Sequence, residues 1–140
     1  MLLFIFMKSY YDQFKEYKVH FEEWCKFDLI NIGDKAMQAI NQKQWVVARL
    51  YDTKRERDML IRKRNNLKKT IIDKLIEKSP VNLDKNTLNE IDKSPQFEEI
   101  NEQLQDIELL IKYLEEMTKM FMYIAQDVKN VIDSIRLESN

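Results

Sequence analysis

Apolar residues recur along this chain at alternating spacings of three and four, the signature of helices that bury one face. The first such stripe is aromatic: Phe14, Tyr17, Phe21 and Trp24 predict a helix over about residues 9–28 that lays four rings on a partner surface. Asn31-Ile32-Gly33 then predicts a tight break, with Gly33 taking the positive φ that closes a helix and Asp34 capping the next. From Asp34 to Lys78 no glycine or proline intervenes. Met37, Ile40, Val47, Leu50, Tyr51, Leu60, Leu67, Ile71 and Leu75 keep helical spacing, so residues 34–78 read as one long helix.

Ser79-Pro80 ends that helix, because proline has no amide hydrogen and disfavours helical geometry in the residue before it. Residues 79–94 read as a connector, with a short helical turn over 84–91. Ser94-Pro95 reads as an N-cap followed by proline at the first helical position, with Glu98 and Glu99 complementing the dipole. The last helix, 95–137, repeats Phe97, Ile100, Leu104, Ile107, Ile111, Leu114, Thr118, Phe121, Ala125, Val128, Ile132 and Ile135. Such three-four alternation predicts a coiled-coil-like seam. A second row, Leu110, Tyr113, Met117, Met120, Ile124 and Val131, runs beside it. Two adjacent rows exceed what one partner helix covers, which points to a bundle or to packing between subunits.

Composition sharpens the fold class. One glycine and two prolines in 140 residues, with 34% charged and 44% hydrophobic side chains, describe a single all-α domain of long helices forming a coiled-coil-like hairpin or bundle that oligomerises. On this reading Leu104, Ile107, Ile111, Leu114, Phe121, Val128 and Ile132 form the self-association surface. The apolar opening MLLFIFM is too short to span a bilayer and lacks the basic region of a signal peptide, so it reads as a helix start or a buried tail, with no membrane partner. One cysteine, Cys25, cannot close an internal disulfide, so a cytoplasmic location is expected.

Charge is distributed unevenly. Residues 1–53 balance, 54–69 carry a net +6, and 70–140 carry a net −7, all hidden in a formal total of −1. The basic run is Lys54, Arg55, Arg57, Arg62, Lys63, Arg64, Lys68 and Lys69, with only Glu56 and Asp58 against it. On a helical wheel all of these cations but Lys63 fall within about half the circumference, away from Met59, Leu60 and Leu67. A strip of this kind can be a solvated face, can neutralise nucleic-acid phosphates, or can meet an acidic protein surface or an identical subunit. Seven phosphate contacts to a single strand would give a log–log salt slope of about −5.

Catalytic chemistry finds little to work with. His20 and Cys25, one of each, cannot make a zinc site of ordinary ligand number, and both read as structural. Glu22-Glu23, Glu98-Glu99 and Glu115-Glu116 are neighbours whose side chains diverge on a helix, unlike a general acid–base pair. A single glycine cannot build a phosphate-cradling loop. We therefore expect no cofactor, no metal and no enzymatic activity. The aromatics of the first helix could stack bases, but their spacing fits a core better.

The chain resembles the UvsY family of phage recombination mediators. The likeness rests on Trp24-x-x-x-Asp28-x-Ile30 near the start, on a long basic helix reaching Lys68-Lys69, and on Ile107 to Ile132, where IELLIKYLEEM and DVKNVID resemble the family's last helix and Val128, Lys129 and Ile132 its Ile/Val-Lys-x-x-Ile element. The resemblance implies a ring-like homo-oligomer that binds single-stranded DNA and helps load a RecA-like recombinase onto strands coated by single-strand-binding protein, in the host cytoplasm if phage-encoded. It puts DNA contact around Arg62, Lys63, Arg64, Lys68 and Lys69 and assembly on the last helix. The chain departs from the family at Ile76-Glu77-Lys78-Ser79-Pro80, where a tyrosine- and glycine-containing stretch is usual, and at Met122 to Gln126, which lacks an arginine. Readings from other classes are a helical adaptor or scaffold that meets an acidic partner, and a small inhibitor of a nucleic-acid enzyme.

Overall fold

The computed structural model describes residues 8–25, 32–78 and 91–139. These residues form three helices and no strand: α1 (Tyr10–Trp24), α2 (Ile32–Lys78) and α3 (Pro95–Ser139). Ser9 caps α1, its backbone extended and its Oγ accepting from the Asp12 amide at 3.1 Å. The helix stops at Trp24 with Cys25 as its C-cap, short of the expected Asp28; residues 26–31 lie outside the described part. The expectation for Gly33 is corrected. α2 already begins at Ile32, no described glycine has positive φ, and Asp34 sits in the first turn, where its carboxylate complements the helix dipole. Ser79-Pro80 and most of the connector lie outside the described residues. At the start of α3 the Ser94 carbonyl accepts from the Phe97 and Glu98 amides, both at 3.1 Å, but its buried Oγ finds no partner among the described residues. Ser94 therefore holds the N-cap position without making the side-chain cap.

α2 and α3 pack as an antiparallel hairpin. Their contacts run in opposite directions along the chain: Lys54 meets Glu115, Arg57 meets Glu108, and Lys68 meets Asp92. On α3, Phe97, Ile100, Ile107, Ile111, Leu114, Phe121 and Val128 of the first predicted row are buried, as is Leu110 of the second, while Ile135 of the first row is exposed. The seam on α2 is different. Ala39, Val46 and Thr53, one heptad apart, are the residues with no exposure, and Lys43, Leu50, Arg57, Leu60, Arg64, Leu67 and Ile71 continue the alternation as half-buried positions. Met37, Ile40 and Tyr51, apolar and helically spaced, point outward instead. Small residues opposite Phe121 and Leu114 let the two helices approach closely; Thr53 is accommodated because its hydroxyl donates to the Arg49 carbonyl at 2.7 Å.

α1 covers the second apolar row of α3. Phe14 packs edge-on against Tyr113 at 5.2 Å, Phe21 and Trp24 against Phe121 at 5.3 and 5.0 Å, and Cys25 reaches Met120. One chain thus supplies both partners that the double row demands. A polar latch aligns α1 on α2: Arg49 donates to Tyr17 Oη at 3.2 Å and to Gln13, Trp24 Nε1 donates to Gln38 at 3.1 Å, and the Lys35 ammonium stands 4.7 Å over the Trp24 ring.

This packing carries a pH dependence. Burial, reinforced by Glu22, Cys25 and Glu116, pushes the Tyr113 phenol up to about 12 from an ordinary value of 10.0. A folded value above the unfolded one gives stability that is complete below pH 10 and is lost as pH rises through the folded value. We expect urea midpoints to fall between pH 10 and 12, and the decline to be shallower in Tyr113→Phe; equal slopes would show that the phenol has no part in it.

Candidate nucleic-acid interface

The basic run lies in the middle and distal part of α2; Tyr10 at the start of α1 lies near Glu56, and α3 flanks the run. Its eight cations fall into two sets. Lys54, Arg57, Arg64 and Lys68 turn toward α3. Lys54 Nζ stands 3.4 Å from Glu115, Arg57 Nη1 3.3 Å from Glu108, and Lys68 Nζ 3.0 Å from Asp92. Arg57 also reaches its neighbour Asp58 at 3.5 Å, and its side chain is only 27% exposed. Arg64, a seam position, lines a small polar pocket with Lys68, Asp92, Phe97 and Asn101 and has no carboxylate partner among the described residues.

Arg55, Arg62, Lys63 and Lys69 face outward. Arg55 makes an exposed contact of 3.6 Å to Asp52 one turn back, while Arg62, Lys63 and Lys69 have no ion pair among the described residues. The sequence wheel set the cations on a face away from Leu60 and Leu67; in the fold Arg57 and Arg64 share the seam with those leucines. The reason is the width of α3. Its apolar surface draws the α2 azimuth centred on Thr53 and Leu60 inward, and the arginines on that azimuth go with it.

Partial neutralisation does not remove the surface. Exposed ion pairs are worth about 0–1 kcal/mol each, so Lys54, Arg57 and Lys68 can exchange a carboxylate for a phosphate at small cost. The outward set needs no exchange. Its members span Arg55 to Lys69, about 21 Å of helix at 1.5 Å per residue. Three exposed residues that the sequence reading left unassigned to any site lie on the same side of α2: Trp45 (46% exposed), Tyr51 (69%) and Met59 (61%). All three lie off the seam azimuth, which is visible only once α3 is docked; Trp45 is braced from α1 by Tyr17 and Phe21.

No family model matches the chain, and no curated protein or solved structure matches it significantly.

The residues assigned to self-association are already occupied. Ile107, Ile111, Leu114, Phe121 and Val128 are buried, and Leu104 and Ile132 half-buried, in the same chain's hairpin. An assembly through them would require α2 to be displaced. Apolar surface remains elsewhere: a groove of about 870 Å³ between the start of α2 and the end of α3, lined by Ile40, Val47, Met122, Ala125 and Ile132, with Lys43, Lys129, Asp133 and Arg136 at its rim. α1 lies along the other flank of the hairpin, where Gln38, Trp45 and Arg49 receive it.

Other chemistry is sparse. Among the described residues no cluster of His, Cys, Asp and Glu could hold a metal, and no helix is long and apolar enough to cross a membrane. Burial pushes the Cys25 thiol above its ordinary value, so at neutral pH it is the protonated, unreactive form. His20 sits edge-on to Phe21 at 5.1 Å.

Proposed function

We propose that this chain is a helical binding protein rather than an enzyme, and that it holds single-stranded nucleic acid along the outward face of α2. The observation that carries the reading is the outward set Arg55, Arg62 and Lys69 on one face of an uninterrupted rod, flanked by Lys63, all exposed and without carboxylate partners among the described residues beyond Asp52. A rod keeps cations at fixed spacing, so the strand gives up counterions without the protein having to order itself first. The resemblance to the UvsY family suggests the use of that grip: a recombination mediator that assembles, bends the bound strand away from single-strand-binding protein and presents it to a RecA-like recombinase. Several copies acting together would add avidity that four cations alone do not supply. Because most of the α3 seam is occupied within the chain, self-association is proposed through the groove of Ile40, Val47 and Met122, to which Ile132 at the end of the seam also contributes.

A second reading draws on the ion pairs themselves. Glu108 and Glu115, both on α3, engage α2 cations, so an acidic helix is a ligand this face accepts, as an adaptor for an acidic protein would require.

Fluorescence anisotropy of a labelled oligonucleotide across a salt series tests the first reading. Four phosphate contacts predict a log–log slope of about −3 per subunit, smaller than seven would give. Displacement by unlabelled single strand but not by polyglutamate favours nucleic acid, the reverse favours the adaptor, and no binding at low salt removes the first reading. Light scattering under the same conditions separates assemblies from the 17.0 kDa monomer.

A further inference from the structure

Trp45 is the largest side chain of α2, yet it lies outside the seam and is about half exposed. It is not loose. Tyr17 meets its indole edge-on at 5.2 Å with planes 87° apart, and Phe21 meets it at 6.1 Å and 63°. Around it opens a shallow pocket of about 520 Å³, lined by Glu16, Tyr17, His20, Asn41, Gln42 and Trp45. The Tyr17 hydroxyl is engaged, accepting from Arg49, and Glu16 is held by Lys8. The Asn41 and Gln42 amides have no hydrogen-bond partner among the described residues. The pocket therefore offers one braced aromatic surface and two amides with donors and acceptors to spare.

We infer that this pocket takes an unstacked nucleobase of the strand held on α2, the base stacking on the Trp45 indole and its polar edge meeting Asn41 and Gln42. This rests on the reading under Proposed function. Two further observations direct the choice of ligand. Trp45 and Lys63 are eighteen residues apart, five turns at 3.6 residues per turn, so they fall on one line of the helix about 27 Å apart, with Arg55 and Arg62 between them in height but about 80–100° around the helix from that line. A strand following the outward cations toward the start of α2 arrives at this pocket. The ligand chemistry also matches: a base is flat enough to stack on an indole and carries donors and acceptors at its rim, whereas phosphate alone would use neither the ring nor the amides. The same pocket gives the protein a preference for single strands, since a duplex keeps its bases stacked inside.

The test compares a thymine oligonucleotide with an abasic strand of equal length at low salt, reading tryptophan emission together with anisotropy. Trp24 is almost fully buried and contributes a constant background, so quenching reports Trp45. The base-bearing strand should quench emission and bind more tightly than the abasic one. Trp45→Ala should remove that advantage, a loss of about tenfold, and leave abasic binding unchanged. Because Trp45 also packs on Tyr17 and Phe21, an Asn41→Ala, Gln42→Ala variant that spares the aromatic contacts serves as the second probe and should lose part of the same advantage. Equal affinity for the two strands without quenching overturns the inference while leaving phosphate binding on α2 intact. Failure of both strands to bind overturns the inference and the reading beneath it together.

Discussion

Phe121→Ala should destabilise the protein by about 3–5 kcal/mol, the largest effect expected of any single substitution in the chain. Phe121 has no exposure and is the point at which all three helices meet: Phe21 and Trp24 of α1 pack on its ring, and Ala39 and Val46 of α2 belong to the same buried cluster. Removing the ring leaves a void bounded by helix backbones and large aromatics, and a cavity whose walls cannot collapse costs more than the transfer of the lost atoms alone. Losing the ring also uncouples α1, whose edge-on contacts to Phe121 are the most central it makes. Urea denaturation followed by circular dichroism measures the loss, and near-ultraviolet ellipticity should show whether α1 loosens first. Val128→Ala, deeper along the same seam but touching no aromatic of α1, should cost clearly less; equal losses would contradict the central place given to Phe121.

The second large effect concerns binding. Replacing Arg62, Lys63 and Lys69 together by alanine should bring the salt slope for a single strand from about −3 to about −1 and weaken binding steeply at low salt, with the melting temperature nearly unchanged because all three side chains are solvated. Deleting whole ion pairs makes the control. Lys54→Ala with Glu115→Ala, or Arg57→Ala with Glu108→Ala, removes as much negative as positive charge and should alter affinity far less. If the pair deletions weaken binding as much as the triple variant does, the strand follows the α3-facing cations and the division of the basic run into two sets is wrong for function.

Several features were legible in the sequence because they depend on local periodicity and chain stereochemistry. The proline at 95 opens α3, the absence of glycine and proline lets α2 run to Lys78, and the double apolar row of α3 demands two partners. The aromatic stripe of α1 was readable as core for the same reason. Less of the candidate site could be read. The basic run is plain as composition, but a helical wheel has no fixed origin until something packs on the helix. In α2 that origin is set by Ala39, Val46 and Thr53, residues too small or too polar to stand out in a hydrophobic pattern, while the conspicuous Met37, Ile40, Trp45 and Tyr51 mark surface.

By itself, then, the order of residues determined that this is an all-helical protein with its positive charge gathered in the middle and its negative charge at the end, since helix propensity, capping and charge are properties of neighbours along the chain. Tertiary packing alone decided which way α2 is rotated. Close approach to the bulky face of α3 favours the small side chains of α2, and that choice turned Arg57 and Arg64 inward, left Arg62, Lys63 and Lys69 to solvent, filled the seam of α3 from within one chain, and set an exposed indole in line with Lys63.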